Sequence, residues 1–333
     1  MMTDDLADRL QNEGEGNERA SPFKSLTFSL DPVPPFRLDL TVWVLRRRPD
    51  NAVDLWDGRT YRRTVVLEGE PVGIDVTQIG PPEEPRLQVA ATGHRLPAGV
   101  QQTLSKLLER MLGTTIDLSP FYRLVADDAR LGPLVARFHG VRPPRFPTLF
   151  EAVLNGVACQ QVTLTQGIRL LNRLVESYGI GVDEPGEPRS FPRPEDLATV
   201  DPGALRGLGL SHQKARATVE LAYAISSGQL DLEGLAEAGD QEAVSRLLSL
   251  RGVGRWTAEY VLLRGLGRVH VFPGDDVGAR NNLQRWLNLP GPPDYEEIQR
   301  LLARWSPYQG LVYFHLLLGR LTRAGSYHEE GNA

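Results

Sequence analysis

Two stretches hold residues whose types and spacing suit chemistry. Leu250-Arg251-Gly252-Val253-Gly254-Arg255-Trp256-Thr257-Ala258 sets two glycines two apart between apolar runs, the pattern of a hairpin joining two helices. Glycine permits positive φ and lets a backbone approach a ligand closely. The N–H groups of such a turn, with the positive end of the following helix, make a seat for one phosphate that reads no base. Val271-Phe272-Pro273-Gly274-Asp275-Asp276 is a Pro-Gly turn ending in two acids, just before a helical run from Val277 to Leu287. A carboxylate there meets a helix N-terminus, whose dipole favours the ionised form. Asp275 and Asp276 therefore divide two roles, a helix cap and a charge able to act on a substrate. Trp256 and Tyr260, four apart, share one helix face. They form either a pair of core aromatics or an electron-rich wall on which a cationic ring stacks for roughly 0.5–2 kcal/mol.

Together these residues resemble the helix-hairpin-helix and Gly/Pro-Asp motif of the DNA glycosylase superfamily that includes endonuclease III and, more closely, the bacterial 3-methyladenine DNA glycosylase II family. In that family the tryptophan after Gly-x-Gly-Arg precedes the catalytic aspartate by twenty positions, and 276 − 256 gives the same interval. The resemblance thus implies Asp276 as the catalytic acid. It implies a partner, double-stranded DNA containing damaged bases, and a reaction, hydrolysis of the bond from C1′ to an alkylated base flipped out of the duplex. The carboxylate would stabilise an oxocarbenium-like transition state. Alkylation at a ring nitrogen makes the base cationic, so it leaves without being protonated. Bifunctional members carry a Schiff-base lysine where this chain has Trp256, which implies a monofunctional enzyme.

Cys159-Gln160-Gln161-Val162-Thr163 resembles the Gln-Gln-Val-Ser segment of the same family. Gln160 and Gln161 either cap neighbouring backbone or reach the DNA, and Gln161 joins Trp256 and Tyr260 as a pocket candidate. Gly252, Val253, Gly254, Arg255 and Lys214 are the DNA-binding candidates. Pro144, in a Pro143-Pro144 turn where the family has its apolar wedge, is either that wedge or part of a rigid linker. Leu317 stands where an aromatic of the last helix is expected, which leaves the lesion range open. The alternatives are a glycosylase for another damaged base and a non-catalytic helix-hairpin-helix DNA-binding protein.

A length of 333 residues exceeds most single cores and suggests two or three domains. No apolar run of about 18 residues is present and the N-terminus is acidic and polar, against a membrane span or signal peptide. The expectation is a cytoplasmic monomer. Cys159 is the single cysteine, which excludes an internal disulfide framework and a four-cysteine iron–sulfur cluster. His212, His270 and His315 stand apart, so no metal and no cofactor is expected; the resemblance allows a monovalent cation on hairpin carbonyls from Leu250 to Val253. A net charge of −5 argues against a nucleic-acid protein. Distribution matters more: Arg255, Arg264, Arg268, Arg280 and Arg285 face only Glu259, Asp275 and Asp276 in that interval.

These stretches need a scaffold. Residues 1–21 lack apolar periodicity and read as a disordered tail. Strands are expected at Ser25–Leu30, Leu38–Leu45, Tyr61–Leu67, Val72–Thr77 and Arg86–Ala91, with a helix from Gly99 to Leu112 covering one face. That makes a small α+β domain over 22–114. Residues 115–323 read as helical. Thr148 is expected to cap one long helix whose apolar stripe runs from Leu149 to Val175. Gln241–Leu248 and Arg255–Leu266 flank the hairpin, Tyr295–Trp305 and Tyr308–Leu321 complete the bundle, and 324–333 is a polar tail. The fold class is α+β: a small N-terminal antiparallel sheet-plus-helix domain, then an all-α helix-hairpin-helix glycosylase core.

Overall fold

A computed structural model describes residues 23–182 and 187–327 of the chain. The first expected tail and residues 328–333 of the second lie outside the described residues. Short strands of alternating burial form an antiparallel sheet: β1 (Lys24–Leu30), β2 (Leu55–Trp56), β3 (Thr60–Leu67), β4 (Glu70–Ile79) and β5 (Arg86–Gly93), in the order β1-β5-β4-β3-β2. The register lines up Tyr61, Val76, Val89 and Phe28 across β3, β4, β5 and β1, and all four are buried. This bears out the α+β class and four of the five expected strands.

The fifth is overturned. Leu38–Arg46 is a helix, α1, buried at every position except Asp39. Its β-branched and aromatic residues imitate a strand, but the segment is apolar all round, as a helix sandwiched between two cores must be. Leu38, Val42 and Leu45 enter the core shared with the sheet, while Leu40, Trp43 and Val44 enter a second core. After it come α2 (Val100–Leu112), α3 (Ser119–Val125), α4 (Leu131–Arg137), α5 (Leu149–Cys159), α6 (Leu164–Tyr178), α7 (Pro194–Leu197), α8 (Pro202–Gly207), α9 (His212–Ser226), α10 (Asp240–Leu248), α11 (Arg255–Arg264), α12 (Val277–Leu287), α13 (Tyr295–Leu302) and α14 (Gln309–Arg323).

The single long helix expected after Thr148 is also overturned, because α5 ends at Cys159 and α6 starts anew. Thr148 does cap α5, accepting from the Glu151 amide. Gln160 is extended and Gln161 has φ of +52°, after which Thr163 and Gln166 form a reciprocal capping box. That box is a start signal written inside the apolar stripe. The stripe runs on across the break because both helices face the same core.

Buried ions tie the sheet to α5. Arg63 on β3 donates to Asp54 Oδ1 at 2.7 Å and to Glu151 Oε2 at 2.5 Å, all three being buried. Removing one member of such a group typically costs 3–5 kcal/mol. At the other end, Tyr327 is buried, donates to Asp39 Oδ2 at 2.8 Å and packs its ring edge on Trp43, so the tail expected over 324–333 contains an anchored residue.

Candidate active site at the hairpin and the Asp276 turn

Gly252 adopts φ of +78°, and a Cβ there would meet the Ala217 methyl at 3.1 Å. Val253 is buried as a plug, whereas Gly252, Gly254 and Arg255 are exposed. α11 starts at Gly254 with no side-chain cap, and its first helical bond runs from Ala258 N to Gly254 O. The amides of the first turn therefore lack intrahelical partners. They face outward with the dipole's positive end, which is what a phosphate requires.

Gln160, rather than Gln161, reaches the hairpin. Its amide nitrogen donates to Gly252 O at 2.7 Å and to Thr257 Oγ1 at 2.8 Å. Gln161 is exposed with a left-handed backbone, beside half-exposed Val162, so the break between α5 and α6 forms a projecting turn next to the hairpin. Lys214 is spent inside the protein: its ammonium donates to Ala158 O at 3.0 Å and Gln160 O at 2.7 Å, closing the end of α5. Burial lowers its pKa. Pro144 and Pro143 are both buried, so neither projects as a wedge; the turn packs where Gly113 closes α2.

Asp276 is the N-cap of α12. Its Oδ1 accepts from Ala279 N at 2.8 Å and its Oδ2 from the Trp256 indole at 3.3 Å. The cap that the sequence offers to Asp275 thus belongs to Asp276, the residue directly preceding the helical φ/ψ run. Asp275 instead accepts from Arg255 Nε at 2.6 Å, and the Arg255 guanidinium lies 4.0 Å over the Tyr295 ring. Glu259, buried on α11, accepts from Gly274 N at 3.1 Å and from the Tyr295 hydroxyl at 2.6 Å. Burial pushes the Glu259 carboxyl up against the pull of those two bonds. Tyr295 is pushed up to about 12 by burial and then by Glu259. Its ring leaves no room for a Cβ on Gly274. Helix α11 therefore holds the acidic turn by backbone as well as by Trp256.

The rings of Trp256 and Tyr260 stand 5.6 Å apart at 34°, and Phe146 backs Tyr260 at 6.2 Å. Tyr313 on α14 joins them: burial first, then the Asp276 charge, raises its phenol. Cys159 lies in the same group, its thiol pushed up by burial while Arg47, Lys214 and Asp276 all bear on it. Leu317 is buried and aliphatic, so the aromatic from the last helix comes one turn earlier. Two buried arginines stand behind this wall. Arg47 donates to the Tyr260 hydroxyl at 2.8 Å and to Asn155 Oδ1 at 2.5 Å. Arg264 donates to Val44 O and Leu45 O and lies over the Phe146, Tyr260 and Phe314 rings. Sequence reading missed Tyr313 and Arg47; a tyrosine at helical spacing reads as core, and Arg47 follows a segment taken for a strand.

Of the hairpin carbonyls open to a monovalent cation, Leu250 O already accepts from Val253 N and Gly252 O from Gln160. Each of these carbonyls keeps a second lone pair, and no step below runs through a cation. Among the described residues no group of His, Cys, Asp and Glu is arranged to hold a metal. A cavity of about 550 Å³ opens between β3, α5 and the 190–194 segment, lined by Val65, Leu107, Phe150 and Phe191; it contains no residue of the Asp276 group.

A hairpin with free amides, an uncapped helix behind it and a carboxylate pinned beside that helix's first tryptophan define a helix-hairpin-helix architecture. The profile of the HhH-GPD superfamily of base excision DNA repair proteins matches residues 155–307. The DNA-3-methyladenine glycosylase of Bacillus subtilis is 30% identical over 217 residues, 65% of this chain and 72% of that one. DNA-3-methyladenine glycosylase 2 of Escherichia coli is 30% identical over 290 residues, 87% and 96% of the two chains. The solved 3-methyladenine DNA glycosylase of Archaeoglobus fulgidus superposes with a TM-score of 0.78 at 26% identity, covering 90% of this chain and all of that one. The chain belongs to the HhH-GPD superfamily of base excision DNA repair proteins and, within it, to the DNA-3-methyladenine glycosylase family.

Proposed function

We propose that this protein is a monofunctional DNA glycosylase that acts as a monomer on double-stranded DNA and hydrolyses the N-glycosidic bond of alkylated bases. The observation that carries the reading is Asp276, a carboxylate fixed at a helix N-terminus by Ala279 N and the Trp256 indole, one helix away from a backbone phosphate seat. The hairpin amides hold the DNA backbone without regard to sequence. The projecting turn at Gln161 and Val162 enters the duplex as the target nucleotide leaves it, the role that buried Pro144 does not fill. Unstacking costs a few kcal/mol. The expelled base stacks against Trp256, and Asp276 stabilises positive charge on the sugar as the bond to C1′ breaks.

Trp256 occupies the position of a Schiff-base nucleophile, and the nearby lysine, Lys214, is held by two carbonyls. That supports hydrolysis without strand cleavage. Incubation with methylated duplex DNA, followed by separation of free bases and of the strands, tests both statements. Released alkylated base with an intact strand, cut only after alkali, is the expected outcome; no base release would refute the glycosylase reading.

A further inference from the structure

Helices α12 and α14 pack together and carry a surface of one sign that the Asp276 chemistry does not use. Arg320 and Arg323 stand three apart on one face of α14, and Arg285 lies two turns along the α12 face that Gly278 begins. Arg320 Nη1 is 3.8 Å from the point where a Cβ on Gly278 would lie, and Asp276 Oδ1 is 3.1 Å from the same point. Arg323 Nη1 is 3.6 Å from the corresponding point on Gly319. Arg285 donates only to neutral groups, Asn281 O at 3.0 Å and Asn282 Oδ1 at 2.9 Å. Among the described residues none of these three arginines forms an ion pair. The charges that bear on Arg323 are those of Arg285, Arg137 and Arg320, all of like sign. Arg285 and Arg323 are exposed and Arg320 is half-buried. In a chain of net charge −5 this is a local concentration of cations, which repel one another until an anion lies among them.

We propose that Arg285, Arg320 and Arg323 form a second phosphate seat, which holds the DNA backbone on the side of the lesion away from the hairpin. This rests on the glycosylase reading and extends its contact surface. Asp276 separates the two seats: its Oδ2 faces α11 and the hairpin through Trp256, and its Oδ1 faces Gly278 and, across it, Arg320. A strand held at the hairpin that presents its sugar to Asp276 must continue past α12. From Asp276 to Arg285, 285 − 276 gives nine residues, about 13 Å of helix, which matches about four steps of one strand at about 3.4 Å each. Val277, 68% exposed, leaves the path between them open. The planar guanidinium fork suits phosphate oxygens, and long exposed side chains turn to meet them. An acidic protein would also satisfy the charge, but continuity with the Asp276 turn favours DNA.

The test measures affinity against salt concentration for the parent, Arg285→Gln, Arg323→Gln, the double variant and Arg323→Glu, on a duplex carrying an uncleavable abasic-site analogue and on the undamaged duplex. Both side chains are exposed, so the thermal midpoints should match the parent's. Each neutral substitution should weaken both duplexes several-fold and flatten the slope of log affinity on log salt by about 0.9, the pair by about 2. Arg323→Glu should weaken binding further than Arg323→Gln. Two shortened duplexes, each cut back to the lesion on one side, then locate the contact. One truncation should abolish the effect of the arginine variants while Gly254→Val still weakens binding, and the opposite truncation should do the reverse. An unchanged salt slope in the double variant overturns the proposal, as does an arginine effect that survives both truncations or vanishes with the same truncation as that of Gly254→Val. A parent that binds neither full duplex overturns the glycosylase reading as well.

Discussion

Replacing Asp276 by asparagine separates what that side chain does for the fold from what it does for the reaction. An asparagine oxygen still accepts from Ala279 N, as Asp276 Oδ1 does at 2.8 Å, and Asn and Asp cap helices about equally. The thermal midpoint should therefore stay within a few degrees of the parent. The charge is lost altogether. A carboxylate about 4 Å from a unit positive charge contributes about 4 kcal/mol at an effective dielectric near 20, which corresponds to about 10³ in rate. Measured losses of a single preorganised group, about 10²–10³, bracket the same value. The assay is single-turnover base release from a lesion-bearing duplex, with affinity for the same duplex measured separately. Release should fall by about 10²–10³ while affinity changes only slightly, because the charge it answers exists only in the transition state. Asp275→Asn should cost much less, since it breaks only the half-exposed pair with Arg255. A loss below tenfold in Asp276→Asn, or a parallel fall in affinity, would refute the mechanism; the larger loss in Asp275→Asn would mean the wrong acid was chosen.

Gly252→Val strains a left-handed residue and presses on Ala217, whereas Gly254→Val enters open space; both should weaken binding to damaged and undamaged duplex alike, and only Gly252→Val should also lower the thermal midpoint. Borohydride added during turnover should trap no protein–DNA adduct, and a trapped adduct lost in Lys214→Ala would convert this protein into a lyase. His315, buried on α14, has its pKa lowered by burial from 6.5 to about 4. The unfolded chain takes up its proton below about pH 6.5 and the folded one only near pH 4, so this contribution is complete above 6.5 and is lost as the pH falls through that window. The loss reaches about 3 kcal/mol, and denaturant titrations at pH 7 and pH 4.5 should show a smaller difference in His315→Gln. Glu259→Ala should free the Gly274 amide and lower the rate of base release at nearly constant affinity, with Glu259→Gln recovering most of the rate.

The backbone of the candidate site was legible in this sequence because glycine, proline and acid at fixed intervals dictate geometry locally. Gly252 requires a left-handed turn, a conclusion that needs only near neighbours, whereas two adjacent acids leave open which one caps the following helix, and the cap fell to Asp276 rather than Asp275. What stayed hidden depends on distant packing. Leu38–Leu45 carries a strand's composition, and only the cores on both of its sides make it a helix. The break at Gln160 lies under an unbroken apolar stripe, with the capping box at Thr163 as its one local sign. Lys214 and Pro144 look like DNA contacts as long as nothing states what covers them. Arg47 is the hardest case, since a row of Arg46, Arg47 and Arg48 gives no sign that the first two are buried and the third is not.

Helix α1 has a consequence for how the chain is made. Arg37, at its start, donates to the Tyr327 hydroxyl across 290 residues, and α1 packs on α14. At synthesis rates of about 5–20 residues per second, roughly 15–60 s separate the emergence of one partner from that of the other. Through that interval a segment apolar on every side has only half of its shelter. The sheet, α2 and α5 can cover Leu38, Val42 and Leu45 early, but Leu40, Trp43 and Val44 wait for the last helix. Contacts this far apart in sequence also slow the closing step itself. Yield in a growing cell should therefore depend on temperature and on holding chaperones far more than the stability of the finished protein does.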